Sequence, residues 1–165
     1  MDRAVQNNMD IVSMSLGTAT YSQALNDSTA NAYNAGIFLV AAAGNNGDGN
    51  LSTDDVLYPA KFDSVIAVSA IDYNNIAPIW SADGAKIDLA APDVNIYSTW
   101  INGGYANASG TSMAAPFVSS VAALVKSKNL PMTPQEIRNA LAYSAVELGG
   151  AGRDRVYGFG LVQAD

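Results

Sequence analysis

The feature that most constrains the fold is an almost unbroken apolar run, GIFLVAAAG, at residues 36–44. A half-exposed strand alternates apolar and polar residues, whereas a run like this one is typical of a parallel strand buried on both faces. The segment DIVSMSLG, residues 10–17, predicts a strand that ends at Gly17, and residues 21–35 have the apolar spacing of a helix. Strand, helix and strand form a right-handed crossover unit. The sequence therefore predicts an α/β protein with a doubly wound, mostly parallel sheet and flanking helices.

Later patterns extend this α/β layout. SVIAVSAI, residues 64–71, predicts another buried strand, and helices are expected over about 112–128 and 133–145. The last helix has a clear start signal, because Thr133 is a good N-cap and Glu136 completes a capping box with it.

The predicted sheet is only part of a doubly wound sheet. The chain opens on MDRAVQNN, which reads as the end of a helix, and the strand that follows already has the character of a deep core strand. We therefore expect the first strands of the sheet to be missing from this chain. No internal repeat or low-complexity linker interrupts it, so residues 1–165 are expected to form one domain.

Composition excludes several classes of function. Apolar residues make up 49% and charged residues 14%, which is a balance typical of a globular domain with a sizeable core. The net charge is −7 and the eight Lys and Arg are scattered, so nucleic acid and anionic membranes are disfavoured as partners. No apolar run approaches the roughly 20 residues of a membrane span. The absence of cysteine excludes disulfides and thiolate metal sites, and the absence of histidine removes the commonest general base.

A serine in GTSMAAPF, residues 110–117, is a candidate nucleophile. Proline is tolerated only in the first turn of a helix, so Pro116 means that the helix begins no earlier than about Thr111 or Ser112. The Ser112 hydroxyl then lies at a helix N-terminus, after the flexible Gly110, where free N–H groups and the helix dipole favour negative charge. The alternative is that the segment only caps the helix.

An asparagine follows the buried strand in AAAGNNG, residues 41–47. Sites in open α/β sheets form beyond the carboxyl ends of the strands, so the Asn45 amide could donate a hydrogen bond to an oxyanion there. The alternative is an ordinary turn, since Asn and Gly are common turn formers. Nucleotide binding is disfavoured, because these glycines lack the dinucleotide-binding spacing and Asp48 would repel a phosphate.

Taken together, these segments resemble the subtilisin-like serine proteases in order and spacing. The similar segments cover essentially the whole chain, and they are VSMSLG, LVAAAGNNG, YPAKFDSVIAVSAID, DLAAPDVNIYST, GTSMAAPFVSSVAALV and the closing GFGLVQAD. The resemblance implies a serine-type endopeptidase that hydrolyses peptide bonds and is secreted. It implies a polypeptide substrate and no cofactor for the chemistry itself.

The resemblance also implies roles for individual residues. Ser112 corresponds to the nucleophile, and Asn45 to the side-chain donor of the oxyanion hole, together with the Ser112 main-chain N–H. Substrate-binding roles are implied for two strand-end segments, for the floor of the pocket and for the two residues before the nucleophile: Ser15, Leu16, Gly17, Ala42, Ala43, Gly44, Leu57, Gly110 and Thr111.

The family's catalytic aspartate and histidine lie upstream of the segment that corresponds to SMSLG, so the resemblance implies that this chain lacks both. Without a base a serine hydroxyl is a poor nucleophile. We therefore predict that the isolated chain is inactive, and poorly stable unless an N-terminal segment completes the sheet. The expected protein partners are this missing segment or a propeptide. The alternative is a non-catalytic, peptide-binding member of the family, a pseudoenzyme.

Three residues depart from the family pattern. Phe117 stands where a histidine outside the triad is usual, and Asp93 stands where glycine is frequent. Leu57 stands where the floor of the substrate pocket often has glycine. A leucine there would shorten the pocket and favour small or medium side chains before the cleaved bond.

A weak cation site is a further expectation drawn from the resemblance. Its candidate ligands are the Asp88 carboxylate and the carbonyl groups of Ala60, Phe62 and Val65. Lys86 replaces an acidic residue found in some relatives, which disfavours a divalent ion. A structural calcium site of the full-length protein would lie upstream of this chain.

Overall fold

A computed structural model describes residues 1–128 and 131–164. Residue 165, the last of the closing GFGLVQAD segment, lies outside the described residues. The helices and strands follow in chain order, with a short 3-10 turn at Ile101–Gly103: α1 (Asp2–Gln6), β1 (Ile11–Met14), α2 (Gln23–Asn34), β2 (Phe38–Ala42), β3 (Ile66–Ile71), β4 (Ile87–Pro92), β5 (Ile96–Thr99), β6 (Tyr105–Ala108), α3 (Thr111–Lys128) and α4 (Pro134–Ser144).

The main sheet has four parallel strands in the order β1-β2-β3-β4. Ile11 lies opposite Phe38 across the first pair, and Val40 lies opposite Ile66 across the second. Strands β5 and β6 form a separate antiparallel hairpin. The predicted α/β class with a mostly parallel sheet and flanking helices is confirmed. Within the described parts of the chain, β1 pairs only with β2, so its other edge is free.

Strand β2 is buried on both faces, and this explains the apolar run in the sequence. Phe38, Val40 and Ala42 pack into one cluster with residues of α3 and α4. The alternate residues Leu39 and Ala41 pack into a second cluster on the opposite face, which includes residues of α2. Because successive side chains of a strand point to opposite faces, two helical layers require apolar residues at every position of β2.

Helix ends agree with the predicted start signals. Helix α3 begins at Thr111 and contains Pro116, and α4 has Thr133 as its N-cap with the expected Glu136 capping box. In α4 the Thr133 N–H donates to the Glu136 carboxylate at 2.8 Å, and this bond lowers the Glu136 pKa. No helix within residues 1–128 and 131–164 is long and apolar enough to span a membrane.

Two predicted boundaries were wrong. The first strand ends at Met14 rather than Gly17, because pairing with β2 stops there. Helix α2 begins at Gln23, because the Ser22 hydroxyl accepts a hydrogen bond from the Leu25 N–H and so caps the helix.

Candidate functional site

The predicted site residues meet where β1 and β2 end and α3 begins. A cavity of about 280 Å³ is lined by eight residues, all but one of them from these segments: Leu16, Gly17, Ala42, Gly44, Asn45, Leu57, Thr111 and Ser112. Of the remaining predicted residues, Ser15 donates from its hydroxyl to the Ser112 carbonyl at 2.7 Å. Ala43 is fully buried behind the cavity wall.

The orientation of the Asn45 amide is fixed by Thr111. Asn45 Oδ1 accepts from the Thr111 N–H at 2.9 Å and from the Thr111 hydroxyl at 2.9 Å. The Thr111 hydroxyl also accepts from the Gly44 N–H at 3.2 Å. Since the amide oxygen is occupied by two donors, the Asn45 NH2 group is left to donate elsewhere.

Gly110 allows the chain to pass close to that NH2 group. Its φ is +142°, and a Cβ at this position would lie 3.1 Å from Asn45 Nδ2. The Gly110 carbonyl accepts from the Met113 N–H at 2.7 Å, and its own N–H donates to the Asp93 carbonyl at 3.2 Å. The turn before Ser112 is thus held by main-chain hydrogen bonds on both sides.

Ser112 lies in the first turn of α3, as the sequence predicts. Among the residues that the structure describes, neither its main-chain N–H nor its hydroxyl has a hydrogen-bond partner. A free N–H at a helix N-terminus favours a negatively charged ligand, and the helix dipole acts in the same direction. Ser112 and Asn45 can therefore both donate to an anionic oxygen in the cavity.

Leu57 fills the space between the two glycine walls of the cavity. A Cβ on Gly17 would lie 2.9 Å from Leu57 Cβ, and a Cβ on Gly44 would lie 2.8 Å from Leu57 Cγ. The Leu57 N–H donates to the Ala43 carbonyl at 2.8 Å, which fixes the backbone of this residue to the end of β2. The Leu57 side chain thus occupies space at the cavity wall next to both glycines.

A second, more apolar cavity of about 330 Å³ lies on the other side of Ser112, between α3 and the β5–β6 hairpin. Met113, Phe117 and Trp100 contribute to its lining. Phe117 is 40% exposed, so the residue that departs from the family pattern faces this cavity rather than the core.

The carboxylate of the predicted cation site is already engaged by arginine. Asp88 is 4% exposed; its Oδ1 lies 3.1 Å from Arg153 and its Oδ2 3.8 Å from Arg138. Burial raises the Asp88 pKa, while the two arginines and the Ala67 N–H that donates to it at 2.9 Å act in the opposite direction.

Arg138 also donates to the Val65 carbonyl at 2.8 Å, and the Phe62 carbonyl accepts from the Val65 N–H at 3.1 Å. Arginine therefore balances the charge of Asp88, which disfavours the predicted cation site. Among the described residues, no group of three or more His, Cys, Asp or Glu side chains could hold a metal ion.

Sequence reasoning missed the role of the Thr111 side chain. The family resemblance implies a substrate-binding role for Thr111. In the structure its hydroxyl also accepts a hydrogen bond from the Gly44 N–H, although the two residues are 67 positions apart in the sequence. The GTS motif marks this threonine, yet only the folded chain shows which groups its hydroxyl joins.

The chain is similar to known proteins over nearly its whole length. The family model described as the subtilase family (Peptidase_S8) matches residues 1–160. The chain is 42% identical over 163 residues to the minor extracellular protease Epr of Bacillus subtilis strain 168, covering 99% of this chain and 25% of that protein. It is 42% identical over 162 residues to subtilisin DY of Bacillus licheniformis, covering 98% of this chain and 58% of that protein.

A solved structure named sphericase has a similar fold. It superposes with a TM-score of 0.88 at 31% identity, covering 99% of this chain and 60% of that one. The chain thus spans between a quarter and three fifths of the length of these relatives.

Thr111→Val tests the link between β2 and α3. The change leaves the Gly44 N–H and one lone pair of Asn45 Oδ1 without a partner inside the fold, so we expect the free energy of unfolding to fall by about 1–3 kcal/mol. Urea denaturation of the full-length protein measures it. Thr111→Ser keeps the hydroxyl and serves as the control. Equal stability of the two variants would contradict the assigned hydrogen bonds.

Proposed function

Because this chain belongs to the subtilase family, we propose that it forms the nucleophile-bearing part of a serine-type endopeptidase. The observation that carries this proposal is the position of Ser112 in the first turn of α3, where it lines the same cavity as Asn45. The proposed activity is that of the whole protein in which these residues act.

Catalysis begins when Ser112 Oγ attacks the carbonyl carbon of a peptide bond and its proton passes to a base. The carbonyl oxygen becomes negatively charged, and the Asn45 NH2 group and the Ser112 N–H donate to it. The proton then moves to the leaving amine as the C–N bond breaks, and water hydrolyses the acyl-enzyme that remains. Side chains, the Ser112 main-chain N–H and water supply these steps, so no cofactor is needed for the chemistry.

The proposed substrate is a polypeptide in extended conformation. Residues Ser15–Gly17 follow β1, and Ala42–Gly44 include the end of β2, so a peptide between them can pair with main-chain groups on two sides. The side chain before the cleaved bond enters the cavity that ends at Leu57.

The base in this mechanism comes from outside these residues, since the chain contains no histidine. A segment that supplies the family's aspartate and histidine would pair with the free edge of β1. The 165-residue chain alone is therefore expected to have no meaningful peptidase activity. A structural calcium ion, where the full-length protein has one, would bind to that segment. The similarity to a protease described as extracellular supports secretion.

Ser112→Ala tests the proposed activity directly. Peptide hydrolysis by the full-length protein should fall by about 10⁶-fold in kcat, a magnitude that was measured on subtilisin, itself a member of this family. Ser127→Ala removes an exposed hydroxyl near the far end of α3 and should leave the rate unchanged. Peptide binding without hydrolysis by the unmodified protein would contradict the proposal and support the pseudoenzyme.

Asn45→Asp separates oxyanion stabilisation from folding. The variant keeps the oxygen that accepts from Thr111 and loses the NH2 donor. We expect kcat to fall by about 10²–10³-fold with little change in KM, a range that also comes from subtilisin. Asn46→Asp adds the same charge one residue away and should leave kcat within a few-fold. Similar losses in both variants would assign the effect to charge rather than to the lost donor.

Leu57→Ala tests how the cavity selects substrates. The full-length protein should prefer small or medium side chains before the cleaved bond, and the variant should accept Phe and Tyr there because the cavity becomes deeper. Profiling with a peptide library measures both preferences. Leu51→Ala, at an exposed leucine of the preceding loop, is the matched control. A native profile dominated by Phe or Tyr would contradict the role of Leu57.

A further inference from the structure

Asp93 connects the sheet to the turn that carries Ser112. It directly follows β4 and is 0% exposed. Its N–H donates to the Ile71 carbonyl at the end of β3 at 3.1 Å, and its carbonyl accepts from the Gly110 N–H at 3.2 Å. Its main chain therefore supports the turn from beneath, at the residue that passes close to the Asn45 amide.

The Asp93 side chain is an unpartnered carboxyl group inside the fold. Both of its oxygens are buried and have no hydrogen-bond partner among the described residues. Burial, and then the charge of Asp72, raise its pKa to about 7, and the nearby Gly110 N–H acts weakly in the opposite direction. An aspartate is thus neutral in the folded protein at pH values where it would be ionised in the unfolded chain.

Among residues 1–128 and 131–164, no Lys or Arg forms an ion pair with this carboxyl group. Asp72 follows β3 and is the charged neighbour; its Oδ1 accepts from the N–H groups of Asn74 and Ile76. Helix α3 has no acidic residue in its first turn, and its basic residues lie in its last turn. The β5–β6 hairpin contributes two titratable groups, the exposed tyrosines Tyr97 and Tyr105.

Ionisation of the Asp93 carboxyl group changes which acceptor near the Gly110 N–H is the stronger one. In the structure this N–H donates to the Asp93 main-chain carbonyl at 3.2 Å. A carboxylate is a stronger acceptor than a carbonyl, and a buried charge without a partner is costly unless it gains donors or water. Gly110 moves whether its N–H turns to the carboxylate or water enters beside the charge. Gly110 precedes Thr111, which hydrogen-bonds to Asn45 of the proposed oxyanion hole.

We propose that Asp93 is a positioning residue, whose neutral carboxyl group keeps the turn Gly110–Ser112 in its active arrangement and whose ionisation releases that turn. The word "active" here rests on the proposed function, whereas the coupling between Asp93 and the turn does not require catalysis. It concerns a position where relatives often have glycine and therefore no titratable group.

The pKa of Asp93 in the folded and unfolded states determines how its contribution to stability changes with pH. The folded pKa is about 7 and the ordinary value is 3.8, so between these values the folded protein binds more protons than the unfolded chain. The contribution of Asp93 to stability therefore falls as pH rises from about 4 to about 7, and it stays at its lower level above that.

The test is an NMR titration of the full-length protein from pH 5 to 9. The amide signals of Gly110, Thr111 and Ser112 should contain a component with a midpoint near 7 that is lost in Asp93→Asn. In Asp72→Asn the midpoint should move to lower pH, because a like charge is removed. A histidine from another segment can titrate in the same range, but its component would remain in both variants.

A second measurement covers the case in which Asp93→Asn does not fold. In the unmodified protein with carbon-13 labelled aspartate, the Asp93 carboxyl carbon and the Gly110 amide should titrate with the same midpoint. Turn amides that do not titrate with Asp93, or that titrate unchanged in Asp93→Asn, would overturn the proposal. Loss of hydrolysis in an assay would instead bear on the proposed function, so the two failures are distinguishable.

Discussion

The burial of β2 on both faces is the constraint on which the rest of the structure depends. Its alternate side chains enter two separate clusters, so both faces of the sheet need a helical layer. Helix α3 provides much of one layer, and its packing brings its N-terminus to the carboxyl end of β2. Asn45 and Ser112 therefore line the same cavity because of how the core packs.

Within that frame, small residues and shared hydrogen bonds determine how closely the segments approach. Gly44 and Gly110 have φ values of +129° and +142°, in the left-handed region that side chains rarely adopt. The Thr111 hydroxyl joins the ends of both segments, since it donates to Asn45 and accepts from Gly44. For the proposed oxyanion site, this means that the donors are oriented before a substrate arrives, which is the property that electrostatic stabilisation requires.

Short sequence patterns predicted the features that depend on interactions between residues close together in the chain. The β2 run, the α4 capping box and the start of α3 near Pro116 were predictable, because strand burial, side-chain capping and proline sterics each act over a few residues. The end of β1 at Met14 depends on pairing with another strand, so the sequence predicted it poorly. Asp93 is buried, and Asp88 forms ion pairs, through contacts with residues far away in the chain. No short sequence pattern predicts either contact.

The hydrogen bonds that orient Asn45 span 66 residues of sequence, from the end of β2 to the start of α3. Closing so long a loop costs chain entropy that only the assembled sheet between these segments can offset. The contact between Asn45 and Thr111 therefore requires that the strands between them have assembled. A partly unfolded chain therefore loses the orientation of the Asn45 amide even where its individual helices and strands persist.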